Sequence, residues 1–225
     1  MSDDELSESG DLNIGHYEGD RDELERRHGF GKAFFPNGDT YEGEYLHGRR
    51  NGKGVYRFAS GAFYNGDYID NKREGRGTFV YPDGSKYDGR WDLDTRHGYG
   101  IYEYENGDRY EGEWFRNRKT GTGKYFHKES ESISEGQWVD GKMTGQGSIH
   151  YGYCNFQGRF NANVVKGVGK FIFPKRRIEI NGVYKAFLLV DESFPEDGML
   201  NPQYRSIWTT NSMKPLEDIE DIMQN

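Results

Sequence analysis

The sequence predicts an all-β fold: an elongated, single-layer antiparallel ribbon of about seven stacked β-hairpins, followed by a short C-terminal helix. Three observations predict it. Short motifs of the forms Tyr-x-Gly-x-Tyr and Gly-x-Gly recur with a nearly constant period through most of the 225 residues. Glycine is frequent, at 32 residues, whereas only 33% of all residues are hydrophobic. Aromatic residues reach 16%, so rings rather than branched aliphatic side chains are expected to form the core.

The period sets the size of each structural unit. Gly-x-Gly pairs recur every 22 to 24 residues, and motifs such as YEGEY at 41 and YDGRW at 87 keep step with them. A unit of this length has room for two strands but is too short and too rich in glycine for a helix pair. A final half unit, INGVY at 180, has no pair after it. The seven pairs are Gly29/Gly31, Gly52/Gly54, Gly75/Gly77, Gly98/Gly100, Gly121/Gly123, Gly145/Gly147 and Gly167/Gly169.

Side chains alternate along each predicted strand. In the first strand of a unit, Tyr41 and Tyr45 share one face with Gly43, and the glutamates between them share the other. In the second strand, GKGVYRF at 52 is expected to place Gly52, Gly54 and the aromatic residues on one face and the basic residues on the other. Between strands, LHGRRN predicts a polar turn. Between units, segments such as PNGD at 36 and PDGS at 82 predict turns that need positive φ.

The aromatic face is the candidate binding surface. A ring can lie over a glycine backbone where any Cβ would push it away, and each buried ring contributes roughly 150–250 Å² of apolar area. Because a single layer is not expected to hide every ring, an exposed row of this kind is typical of peptide-binding surfaces. The alternative is that the rings only pack on one another. The candidate partner-binding residues are Tyr41, Tyr45, Tyr64, Tyr68, Tyr87, Trp91, Tyr110, Trp114 and Trp138.

The two ends of the chain differ from its centre. Residues 1–16 are acidic and predict a flexible N-terminal segment, residues 17–184 hold the repeats, and residues 185–225 form an acidic tail. In the tail, KPLEDIEDIMQN has apolar residues at helical spacing, which predicts a short amphipathic helix that docks on the ribbon or on a partner. The residues expected to anchor the tail are Tyr204, Ile207, Trp208, Leu216, Ile219, Ile222 and Met223.

Composition and spacing argue against several other classes. A single cysteine, Cys154, rules out an internal disulfide, and neither a signal peptide nor a ~20-residue apolar span is visible. A soluble protein of a reducing compartment is therefore expected. The repeats carry only a small positive charge, which is atypical of nucleic-acid binding. The Gly-x-Gly pairs never extend to a phosphate-binding motif. The six histidines are scattered and the glutamate pairs recur with the repeat, so no metal site, cofactor or catalytic residue is expected.

The pattern Y-E-G-E-[YW]-x6-G-x-G-x-[YF] resembles the MORN repeat (membrane occupation and recognition nexus), and the resemblance covers residues 17–184. It implies stacked hairpins in a twisted ribbon. Ser134 in place of a ring, HKESESIS at 127 and PKRRIE at 174 depart from the pattern. Less regular late units and a capped end are therefore expected.

The opening NIGHYEGDRDELERRHGFGKAFFPNGDTYEGEY further resembles the MORN-repeat subunits of radial spoke heads in motile cilia and flagella. This implies a non-enzymatic scaffold of the axoneme, in the cytoplasm and cytoskeleton of a cilium or sperm flagellum. The implied partners are other radial spoke head proteins and a second copy of this chain. The alternative is a membrane-contact adaptor that binds anionic phospholipids, for which the stretches at 47–53 and 116–119 carry the basic residues.

Overall fold

The computed structural model describes residues 15–189 and 203–216. These residues form an open antiparallel sheet in which the strands follow one another in chain order. The chain divides into two compact units between Glu105 and Asn106. The first unit holds β1 (His16–Arg21), β2 (Arg27–Phe34), β3 (Thr40–Leu46), β4 (Arg49–Arg57), β5 (Phe63–Ile69), β6 (Lys72–Val80), β7 (Lys86–Asp92) and β8 (Thr95–Glu103). The second holds β9 (Arg109–Phe115), β10 (Arg118–His127), β11 (Ser132–Val139), β12 (Lys142–Tyr151), β13 (Cys154–Asn161), β14 (Val164–Phe173), β15 (Ile178–Leu189) and β16 (Gln203–Pro215).

The all-β prediction is confirmed, but the number of strands exceeds the prediction. Sixteen strands are described where seven hairpins and a half unit were predicted. The difference arises in the tail, because β16 pairs with the whole length of β15 and completes the predicted half unit. The predicted tail helix covers KPLEDIEDIMQN from residue 214, but Lys214 and Pro215 are the last two residues of β16. The rest of that helix lies outside the described residues, as does the acidic segment before residue 15.

Most hairpins close with a two-residue turn in which both residues have positive φ. His47 and Gly48 have φ of 49° and 92°, and Leu93 and Asp94 have φ of 45° and 66°. This backbone conformation matches the right-handed twist of the flanking strands, which is why it is favoured in tight hairpins. The predicted turns between units are confirmed as well. Gly38 and Gly84 have φ of 87° and 85°, and each donates its N–H to the carbonyl three residues earlier, 3.0 Å away.

In the first five Gly-x-Gly pairs, the first glycine is not on the face predicted for it. Gly52 has φ of 93° and lies at an irregularity in the β3–β4 register. A Cβ on Gly52 would meet the Glu44 side chain on the charged face, not a ring. The reason is a β-bulge, which inserts a residue and interrupts the alternation of side chains. Glu44 completes the bulge by accepting a hydrogen bond from the Lys53 N–H at 3.0 Å.

The face opposite the rings carries exposed ion pairs. Lys32 lies 3.7 Å from Glu42, and Lys124 lies 3.2 Å from Glu135. Both pairs are directly opposite in the strand register, as cross-strand pairs of opposite charge should be. Exposed pairs of this kind contribute little to stability, about 0–1 kcal/mol each. Within the described residues, no helix is both long and apolar enough to cross a membrane.

Candidate protein-binding surface

The nine aromatic residues predicted to bind a partner are all buried. Their exposed fractions run from 0% to 5%, and rings of neighbouring hairpins pack edge-to-face on one another. The ring of Tyr41 lies 5.1 Å from that of Tyr45 and 5.4 Å from that of Tyr68. Tyr64 repeats this arrangement with Tyr68 and Trp91. The expectation that one layer leaves this row exposed is wrong, and we call these nine residues the inner row.

Glycines form the floor under the inner row. A Cβ on Gly54 would collide with the ring of Tyr41, and a Cβ on Gly77 with that of Tyr64. The ring-over-glycine packing predicted from the sequence is therefore confirmed. The tyrosine hydroxyl is also satisfied, since Tyr64 donates to the backbone oxygen of Asp67 at 3.0 Å. Burial raises the pKa of the Tyr64 phenol, so this side chain stays neutral.

A cation lies over the rings of each of the first five repeats, which was not predicted from the sequence. Arg73 has its guanidinium carbon 4.6 Å from the centroid of the Trp91 ring and 5.3 Å from that of Phe79. Its Nε also donates to Asp94 in the next turn at 3.0 Å. Such contacts stabilise by about 0.5–2 kcal/mol each. The signal was available, because Arg27, Arg50, Arg73, Arg96 and Lys119 each stand two residues before a Gly-x-Gly pair.

A second row of rings lies beside the inner row, and we call it the outer row. In the first unit it is a continuous series with ring centroids 4.5–5.8 Å apart. Several of its members are half-buried, so solvent and a partner can reach them, unlike the inner row. The signal that could have found it is the alternating aromatic pair that follows Gly54, Gly77 and Gly100. The members in this unit are Phe35, Tyr56, Phe58, Phe79, Tyr81, Tyr102 and Tyr104.

In the second unit, the missing ring at Ser134 leaves a cavity of about 400 Å³ next to Trp138. Met143 partly fills the gap, because its terminal methyl group covers Gly136 and Gly147 as the tyrosine rings do elsewhere. Lys119 lines the cavity, and burial lowers its pKa to about 8. Side-chain packing at Ser134 is therefore irregular, as predicted, but Ser134 is still paired with both neighbouring strands.

The tail residues predicted as anchors meet different environments. Trp208 packs on the rings of Phe171 and Tyr184, with centroids 5.1 and 5.0 Å apart. Ile207 is exposed, and Tyr204 is described only as part of the backbone of β16. Leu216 donates its N–H to the Arg177 oxygen at 2.9 Å. The remaining anchors, which lie beyond the described residues, are Ile219, Ile222 and Met223.

Known proteins resemble this chain over limited stretches. The radial spoke head 1 homolog of Mus musculus is 56% identical over 45 residues, which cover 20% of this chain and 15% of that protein. The homolog of Cyprinus carpio is 62% identical over 32 residues, 14% of this chain and 15% of that protein. The matched stretches thus span only a small part of these relatives.

Among solved structures, the chain is similar to the SAS-4 (dCPAP) TCP domain of Drosophila melanogaster in complex with a proline-rich motif of Ana2 (dSTIL). That similarity has 16% identity, a TM-score of 0.42, and covers 65% of this chain and 80% of the other. A TM-score this low supports no inference about fold or function.

The sequence family gives the most extensive match. The MORN repeat model matches residues 26–40, 41–63, 64–86, 87–109, 110–128 and 135–152, which together make up more than half of the chain. These ranges follow the hairpins from β2 to β12. The later hairpins continue the same strand pairing without a match to the model. With its repeated hairpins, ring-covered glycines and matched family model, this chain belongs to the MORN-repeat family.

Proposed function

We propose that this protein is a non-enzymatic structural scaffold of the axonemal radial spoke head, acting through protein–protein contacts in cilia or sperm flagella. Its similarity to radial spoke head 1 homologs supports the location. The MORN repeats support a structural or protein-binding role. The partners we propose are other radial spoke head proteins and, as a second contact, another copy of this chain.

The single observation that carries this proposal is the outer row. Its rings pack on one another with centroids 4.5–5.8 Å apart, and Phe79 also lies 6.1 Å from the inner-row ring of Trp91, so packing restricts their rotation. Rigid aromatic side chains lose little conformational entropy on binding, which is why they dominate binding surfaces. Half-buried members such as Phe58, Tyr81 and Tyr104 combine this rigidity with access from solvent.

Affinity capture from isolated axonemes tests the proposal. We expect the tagged chain to retain radial spoke head proteins, identified by mass spectrometry, and to localise to cilia when expressed in ciliated cells. Replacing Phe58, Tyr81 and Tyr104 together with serine should reduce this capture by at least about tenfold. Phe30→Ser is the matched control, because Phe30 is 59% exposed outside the outer row.

Two results would contradict the proposal. One is a folded protein that retains no radial spoke component from axonemes. The other is equal capture by the triple serine variant and the wild type, which would remove the outer row from the proposal. Circular dichroism of each variant shows whether the β-fold is intact, and size-exclusion chromatography with light scattering tests contact with a second copy.

The alternative, binding to anionic phospholipids, stays a prediction with less support. Some of the basic residues in the two stretches considered for it have acidic partners. Arg49 lies 3.6 Å from Asp70, and Arg118 lies 2.9 Å from Asp140. Flotation with phosphatidylserine vesicles, at low and high salt, separates the two functions. Salt-sensitive flotation would favour the membrane role.

A further inference from the structure

Three potential metal ligands from two neighbouring hairpins meet at the turns of the first unit. One ligand atom from each of Asp22, His28 and His47 lies within 4.8 Å of the other two. Asp22 is in the turn after β1, His28 is in β2, and His47 is in the turn after β3. The histidines are 19 residues apart in sequence, which is why their spacing gave no sign of a site. The antiparallel pairing of β2 with β3 brings them together.

A cation already bridges two of these residues. Arg26 places its Nη2 2.7 Å from the Asp22 carboxylate and 3.0 Å from Nδ1 of His47. The same Nδ1 lies 3.1 Å from Asp22 Oδ2. A positively charged group is thus stabilised between the carboxylate and the imidazole. This contact with Arg26 holds the pKa of the Asp22 carboxyl well below its ordinary value. The arginine side chain is 43% exposed, so it can turn away into solvent.

We propose that Asp22, His28 and His47 form a binding site for a divalent transition metal, with Zn²⁺ as its best match. Two imidazole nitrogens and one carboxylate oxygen are ligands that Zn²⁺ prefers. Zinc–ligand bonds are about 2.0–2.2 Å long, so the side chains must move closer by about an ångström. Asp22 and His47 lie in turns, which allow this movement. Arg26 occupies the place of the ion and is displaced by it.

The consequence of binding is a cross-link between two successive hairpins. The turn after β1 is longer than the two-residue turns of later hairpins, and Asp22 holds it by accepting backbone hydrogen bonds from Leu24 and Arg26, both at 3.0 Å. An ion shared with His47 would fix this turn to the next one. Metal binding to the folded state alone stabilises it by mass action, so the site would raise the thermal stability of the first unit. This inference is independent of the proposed function.

Isothermal titration of the chelator-treated, full-length chain with ZnCl₂ tests the site. We expect one ion per chain and a higher melting temperature, reversed by EDTA. His47→Ala and His28→Ala should each weaken binding by at least about tenfold. His150→Ala is the matched control, because His150 lies in the second unit, in hydrogen-bonding contact with Asn155 at 3.0 Å, and its loss should leave the affinity unchanged.

A second variant separates this proposal from a merely structural cluster. Arg26→Ala removes the competing cation and should tighten zinc binding, whereas a hydrogen-bonded cluster without a metal role would only lose stability. Absence of saturable zinc binding by the wild type would overturn the proposal, as would full affinity in His47→Ala and His28→Ala. Weaker binding in a folded Arg26→Ala variant would overturn the assigned place of the ion.

Discussion

A glycine beneath a ring is the smallest element on which this fold depends. The chain covers its paired glycines in three ways. Tyr64 lies over Gly77 of the same repeat. Met143 covers Gly147 in the repeat that lacks the ring, and Trp208 covers Gly182 from the following strand. Side chains of different chemistry thus meet one steric requirement. The position must therefore be glycine, whereas the side chain that covers it can be replaced by another of similar volume.

Substitution of Gly77 tests this requirement directly. Gly77→Ala should lower the free energy of unfolding by about 2–3 kcal/mol, because the new methyl group displaces the buried Tyr64 ring. Urea denaturation measures the change. Gly152→Ala is the matched control, since a Cβ at Gly152 meets nothing within 4 Å, and its effect should stay within about 0.5 kcal/mol. Equal effects of the two variants would show that the ring does not depend on the glycine.

Lys119 makes the free energy of unfolding depend on pH. Its amino group lies 4.7 Å from the Trp138 ring centroid, and burial lowers its pKa from 10.5 to about 8. The unfolded chain therefore binds more protons between pH 8 and 10.5, so this residue makes the protein more stable as pH rises through that window. The stability of Lys119→Met relative to wild type should accordingly fall by about 1–2 kcal/mol from pH 8 to 10.5.

Denaturation of both proteins at several pH values measures that difference. Lys119→Arg is a useful companion, because arginine keeps its charge throughout the window and should show the same slope relative to wild type. A Lys119→Met difference that is independent of pH would mean that the ammonium group is not desolvated. His127, which also lines this cavity, has a pKa lowered by burial and titrates below the window.

Hairpins are joined to one another at their turns as well as along their strands. The N–H of Asn71 donates to the Arg50 oxygen at 3.0 Å, and the Asn71 side chain accepts from the Arg50 N–H at 2.9 Å. Asp94 and Arg73 repeat both bonds. Turn geometry is therefore part of the contact between successive hairpins, and a residue that favours the turn conformation should stabilise more than its own hairpin.

Leu93 lies in the turn between β7 and β8 and offers a test of the role of turn geometry, because it has φ of 45° and is 68% exposed. Leucine is disfavoured in left-handed backbone, whereas asparagine tolerates it. Leu93→Asn should therefore raise the free energy of unfolding by about 0.5–1 kcal/mol, measured by thermal and urea denaturation. Leu46→Asn is the control, since Leu46 is also exposed but ends a strand. Stabilisation by both variants would point to surface polarity and not to the turn.

Sequence period and alternation were enough to predict the strands, the turns and the ring-over-glycine packing, because these depend on neighbours at fixed spacing. Three features depend on packing and strand pairing that this spacing does not specify, and they could not be predicted in this way. Edge-to-face packing buries the inner row. The bulge at Gly52 turns that residue to the charged face. The pairing of β2 with β3 brings His28 beside His47. Periodicity places a residue on a strand but does not show what covers it.

At the scale of the whole molecule, stability should be close to a sum over hairpins and their nearest neighbours, as in other repeat proteins. The tail strand β16 is then an energetic part of the repeat and not an appendage. Trp208 contacts rings from three earlier strands, Phe156 in β13, Phe171 in β14 and Tyr184 in β15. This arrangement supports the hypothesis that the tail anchors on the last hairpins.

Replacing Trp208 tests both ideas in one measurement. Trp208→Ala should cost about 2–3 kcal/mol, less than a fully buried tryptophan, because Trp208 is only half-buried. Hydrogen exchange followed by mass spectrometry should show faster exchange in β13–β16 and unchanged exchange in β1–β8, since a nearest-neighbour system confines the loss to adjoining strands. Ile207→Ala, at a 50% exposed position, should leave exchange unaltered. Faster exchange along the entire chain would instead show that the hairpins unfold as one cooperative body. A change in one repeat would then alter the stability of all repeats.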